Sequence, residues 1–131
     1  MFVDASAICA VLLEEPDGFL IDEKIGTGSE VQTSAVAVFE TVLAVARSYG
    51  GDVSMARRDV ADYLAVSDIE LVEIGEDELA RALDAFDRFG KGRHPARLNM
   101  GDCFAYACAK TQGTSLLFKG DDFSQTDIVI A

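Results

Sequence analysis

The chain has 131 residues, half of them hydrophobic, with 23 acidic against 11 basic side chains and a formal net charge of -12. That length buries a real core without disulfides or a structural metal, and the composition excludes a disordered tail. The acidity by itself argues against a broad nucleic-acid surface, which needs positive charge, and favours a basic partner or a bound cation.

Phe2-Val3-Asp4 begins at once as a short strand ending in an acid, with no basic leader or small-residue cleavage site before it. SAICAVLLEE (6–15) has helical periodicity and stops at Pro16; FLIDEKIG (19–26) is a second short helix closed by Gly26 and Gly28. VQTS (31–34) reads as a strand running into a helix cap. AVAVFETVLAVARSYGG (35–51) is then a long apolar helix that ends in paired glycines.

Residues 52–66 form an amphipathic helix with Asp52 as its cap, IELVEI (69–74) alternates like a strand, and residues 76–90 form a charged amphipathic helix ended by Gly90. The basic loop GKGRHPARLN (90–99) follows, and LNMGDCFAYACAK (98–110) is another helix, nearly all apolar after Asp102. SLLFK (115–119) is a buried strand, GDDFSQTD (120–127) a polar loop and DIVIA (127–131) a closing edge strand. Strands alternating with helices predict one α/β domain over 1–131, its parallel sheet covered on both faces.

The longest apolar run, Ser34 to Ala46, is broken by Glu40 and too short to span a bilayer, so the chain reads as soluble and cytoplasmic. Cys9, Cys103 and Cys108 lack CxxC spacing and read as buried structural thiols. His94 is the sole histidine and lies in a loop, a poor start for triad or zinc chemistry.

Several acids stand where helix and strand rules do not want them. In an open α/β sheet, ligands bind beyond the carboxyl ends of the strands. Asp4 ends the first strand, Asp121 and Asp122 follow the SLLFK strand, and Asp102 heads the helix that leads into it. Each has a plainer reading: Asp4 and Asp102 as helix caps, Asp121 and Asp122 as turn residues. Glu40 is harder to explain away, because it lies among Val36, Phe39, Val42 and Leu43 with no Lys or Arg three or four residues off. Carboxylates gathered at one sheet edge repel unless a cation neutralises them. Oxygen-only donors select a hard ion, Mg²⁺ or Mn²⁺, which activates water for phosphodiester hydrolysis.

These residues resemble the PIN-domain ribonucleases, and within them the VapC-like toxins of bacterial type II toxin–antitoxin systems. The resemblance spans the chain: FVDASAICAVLLEEP, then SAVAVFETVLAVAR, then HPARLNMGDCFAYACAKTQGTSLLFKGDDFSQTDI. It implies a three-layer α/β/α domain with a central, mainly parallel sheet. Asp4, Glu40 and Asp102 take three metal-site positions; relatives often carry a non-acidic residue before Asp-Phe in the last loop, which places the fourth at Asp122. Ser6 and Thr126 resemble small polar residues that support such a site. The resemblance further implies a Mg²⁺-dependent endoribonuclease, a homodimer, and a small antitoxin whose C-terminal segment covers the active-site groove. RNA held over an acidic pocket needs local bases, for which Lys91, Arg93, Arg97 and Lys119 are the candidates. A catalytically inactive PIN-like interaction domain is the rival reading. A phosphoacceptor receiver fits less well, since DAS supplies one acid after the first strand and IELVEI ends without an Asp.

Overall fold

Four short strands, β1 (Phe2–Val3), β2 (Gln32–Ser34), β3 (Glu70–Val72) and β4 (Leu116–Leu117), form a sheet in the order β3-β2-β1-β4 with every neighbouring pair parallel. The computed structural model describes residues 1–131. Helices α1 (Ala5–Leu12), α2 (Gly18–Thr27), α3 (Ala35–Ser48), α4 (Val53–Val66), α5 (Glu76–Phe89) and α6 (Met100–Thr111) make the connections. Parallel neighbours cannot be joined by tight hairpins, so each return needs helical crossover chain.

Strand alternation divides the interior. Phe2 and Leu116 point into a core shared with α5 and α6, built around Ala85, Phe89, Ala105 and Cys108. Their neighbours Val3 and Leu117 point the other way, against Ile8, Ile25, Val45 and Val60 from α1 to α4. Adjacent strand residues face opposite sides of a sheet, so a two-residue strand suffices to serve both layers.

Side chains start α3 and α4 where the sequence predicts, while α1 ends at Leu12, short of the expected Glu15. Asp52 accepts from Met55 N at 2.9 Å to cap α4, and Ser34 Oγ accepts from Ala37 N at 3.3 Å to cap α3. Glu78 accepts from Gly75 N at 2.8 Å at the head of α5. The expected closing strand over DIVIA shrinks to a single bridge between Ile130 and Leu116. β4 is only two residues long, so there is little ladder to extend; Val129 and Ile130 are exposed, while Ile128 reaches the core.

The three cysteines are free thiols, Cys103 and Cys108 buried and Cys9 only half-buried. Burial pushes each thiol up to about 11, which leaves it protonated and unreactive. His94 is a loop strut: its Nδ1 accepts from Ala96 N at 3.1 Å and its ring meets Phe89 edge-on. No helix is long and apolar enough to cross a membrane.

Candidate active site

The carboxyl ends of β1, β2 and β4 define one edge of the sheet. β1 hands over directly to Asp4, β2 to the cap of α3, and β4 to the loop carrying Asp122. α6 leads into β4, so it runs antiparallel to the strands and its first turn, with Asp102, returns to the same edge.

Asp4 is buried, 5% exposed, and caps α1 through its side chain. Its Oδ2 accepts from Ser6 N at 2.9 Å and from Ser6 Oγ at 2.5 Å. Ser6 Oγ in turn accepts from Lys119 N at 3.0 Å, which ties the first acid to the chain leaving β4. Burial raises the Asp4 carboxyl above the usual range even against these hydrogen bonds, and the charge of Asp122 adds to the shift.

Asp102 is not the cap that its position suggests. α6 starts at Met100, and Asn99 is the cap: its Oδ1 accepts from Asp102 N at 3.0 Å. Asp102 occupies the third helical position and accepts from Asn99 N at 2.8 Å, completing a reciprocal capping box. That bond uses Oδ2 and fixes the side chain's direction. Burial pushes its carboxyl up to about 6, with further contributions from Asp4 and Asp122.

Glu40 departs from the sequence reading in degree. It is half-buried rather than enclosed, because Phe39 and Leu43 beside it lie on an outward face of α3 while Ala37, Thr41 and Val45 form the inward stripe. Its carboxylate packs against Gly101, in the first turn of α6, where a Cβ would overlap both oxygens. Burial, then Asp4, then Asp102 push Glu40 up to about 7. Gly101 escaped the sequence reading, although a glycine inside a helix costs stability and so signals a close approach.

Of the two loop acids, Asp122 is the one whose charge reaches Asp4 and Asp102. Asp121 instead offers its backbone carbonyl to Ser124, at 3.1 Å from N and 2.6 Å from Oγ, in the turn that opens a 3-10 segment at Asp122–Gln125. Thr126 makes no hydrogen bond to the acids: its Oγ1 donates to Phe123 O at 2.8 Å and accepts from Ile128 N at 3.3 Å, so it closes that turn.

The four acids thus feel one another, and no lysine or arginine offsets them. In this conformation no three ligand-type side chains stand close enough to share one ion, so the cage expected from the sequence is not formed. Mutual repulsion among carboxylates is a physical reason for that spread. In chemical type the donors fit a hard cation, since every one is a carboxylate oxygen and the carboxyls at Asp4, Glu40 and Asp102 are raised by burial and like charge.

The basic candidates divide. Lys119 is held between Glu15 and Asp17, so its charge is already neutralised. Arg93 pairs with Asp87 at 2.9 Å and lies over the Phe86 ring. Arg97, in the left-handed region at φ 55°, is exposed and makes no ion pair, as is Lys91.

The PIN domain family model matches residues 1–129. A ribonuclease VapC of Mycolicibacterium smegmatis is 37% identical over 128 residues, covering 98% of this chain and 97% of that one. A VapC ribonuclease of Rhizobium meliloti is 41% identical over 140 residues, covering 97% and 98%. Among solved structures, the sarcin–ricin loop cleaving toxin VapC20 of Mycobacterium tuberculosis superposes with a TM-score of 0.78 at 19% identity, covering 99% of this chain and 97% of that one. A toxin–antitoxin complex from Klebsiella pneumoniae gives 0.71 at 15% identity, covering 99% and 95%. At those identities the two structures speak for the fold, a parallel sheet between helical layers.

Proposed function

The chain belongs to the PIN-domain family, among its VapC ribonucleases, and we propose that it is a Mg²⁺-dependent endoribonuclease toxin working from the Asp4, Glu40, Asp102 and Asp122 edge. The observation that carries this reading is the gathering of Asp4, Glu40 and Asp102, raised by burial and by one another's charge, at one sheet edge with no lysine or arginine paired to them. A purely structural set of carboxylates would be expected to pair with lysine or arginine.

Asp4, Glu40, Asp102 and Asp122 are the residues that would hold the ion, Mg²⁺ or in its place Mn²⁺. Bound there, a hard divalent ion lowers the pKa of water and offsets charge on phosphoryl oxygens. Ser6 orients Asp4 by donating to its Oδ2, and Asn99 N holds the Asp102 carboxylate by donating to its Oδ2. Glu40, raised to about 7 by burial and by Asp4 and Asp102 in the metal-free chain, is the acid that a bound cation would relieve most. Arg97 and Lys91, free of ion pairs, remain open for RNA backbone contacts; Arg93 and Lys119 reach phosphate only by leaving Asp87 and the Glu15–Asp17 pair.

Two apolar surfaces support the partners. Exposed Phe39 and Leu43 flank Glu40 and suit a small antitoxin segment that covers the groove, with an arginine reaching the acids. Leu79, Leu83, Phe86 and Met100 form an exposed apolar patch across α5 and α6 that suits a second copy of the chain. The toxin acts on RNA in the cytoplasm on this reading. The test is cleavage of a panel of structured RNAs, a sarcin–ricin-loop hairpin among them, with Mg²⁺, with EDTA and with an Asp102→Asn variant. Cleavage only by the wild type with Mg²⁺ is expected; equal cleavage in all three arms defeats the proposal.

A further inference from the structure

Glu40 forms one end of a cleft between α1 and α3 whose wall includes Ser6, Cys9 and Leu43, and whose other end is Arg47. Seven residues separate the acid from the arginine along α3, two turns or about 10 Å, which returns both to one helix face. Arg47 is exposed and, like several other bases of the chain, makes no ion pair; it is the one basic side chain that lines this cleft. An unpaired guanidinium on so acidic a protein, in the same cleft as Glu40, has room for an anion that the protein does not supply.

We propose that Arg47 is a phosphate-positioning residue, holding a backbone phosphate of the RNA strand beside the one presented to the acids. This rests on the ribonuclease reading. Glu40 at one end of the cleft and a fork of N–H donors at the other suit a strand lying lengthwise between them. Leu43 and Cys9 give the intervening wall an apolar surface, on which a ribose or base edge loses no hydrogen bond. Lys119 does not compete for the phosphate, because Glu15 and Asp17 hold it. The sequence offered one signal for Arg47, its spacing from Glu40.

The test follows kcat/KM on one cleavable RNA hairpin in Mg²⁺ across a KCl series, for wild type, Arg47→Gln and Arg47→Lys, with melting temperatures to confirm folding. Arg47→Gln is expected to lower kcat/KM about tenfold, mainly through KM, by losing a charge-assisted hydrogen bond. It should also reduce the slope of log kcat/KM against log salt by about 0.7, the contribution of one single-strand phosphate contact. Arg47→Lys should restore most of that slope, which a merely structural role would not do. A wild-type slope in Arg47→Gln overturns the assignment while leaving the ribonuclease reading intact. Failure of the wild type to cleave any RNA of the panel overturns both.

Discussion

The Glu40 carboxylate, reaching across from α3, rests against Gly101 in the first turn of α6, where only a glycine leaves room for both of its oxygens. Gly101→Ala should separate stability from activity. Alanine favours a helix over glycine by about 1 kcal/mol, and the displaced neighbour is the free end of a flexible side chain. The melting temperature should therefore hold or rise slightly, while ribonuclease activity falls by roughly tenfold or more as Glu40 is pushed aside. Unchanged activity in a well-folded Gly101→Ala protein means that Glu40 need not sit there.

Asp122 and Asp121 are neighbours with different outlooks. Asp122 raises the carboxyls of Asp4 and Asp102, whereas Asp121 builds the turn through its backbone. Asp122→Asn should cost orders of magnitude in rate and Asp121→Asn little, when the two are assayed side by side. The reverse order would assign the fourth acid to Asp121.

The metal-free cluster opposes folding at high pH. Glu40 at about 7 and Asp102 at about 6 lie above their unfolded values of 4.5 and 3.8. At these two sites the folded chain then holds more protons than the unfolded one, so their contribution to stability is full below about pH 4 and is lost as pH rises toward about 7. Glu40→Gln should flatten that decline and stabilise the metal-free protein near pH 8 by on the order of 1 kcal/mol at most, since Glu40 is half exposed and screened. Urea titrations across pH in EDTA read this directly, and a Glu40→Gln protein less stable than wild type at high pH contradicts it.

Divalent metal should reverse the penalty. Mg²⁺ binds deprotonated carboxylates, so it should raise the melting temperature of the wild type, more at pH 8 than at about pH 5, and raise that of Asp102→Asn much less. Thermal melts with and without Mg²⁺ at both pH values check the pattern. Equal Mg²⁺ stabilisation of both proteins would place the ion elsewhere.

Ser6 does two jobs, donating to Asp4 at 2.5 Å and accepting from Lys119 N at 3.0 Å. Ser6→Ala should cost about 1–3 kcal/mol by leaving a backbone donor and a buried carboxylate short of partners. Activity should drop with it, because Asp4 loses the contact that aims it. Calorimetry and a rate measurement on the same preparation decide the point; a neutral substitution on both counts removes Ser6 from the site.

Helices, their caps and the suspect acids were legible in the sequence, because periodicity, Asp52 and Ser34 act through neighbours a few residues away. The α/β alternation sufficed for the fold class and the misplaced acids for a candidate site, while the choice of Asp122 over Asp121 came from the family resemblance. Tertiary structure alone decided what those side chains meet. It placed Glu15 against Lys119 across 104 residues, which silenced a base that the sequence offered for RNA. It also turned Asp102 into half of a capping box, gave α3 an outward apolar face and set Glu40 on Gly101. Local rules say which residues are out of place, but a charge is answered by whatever lies across space, and only packing brings residues distant in sequence within a few ångströms.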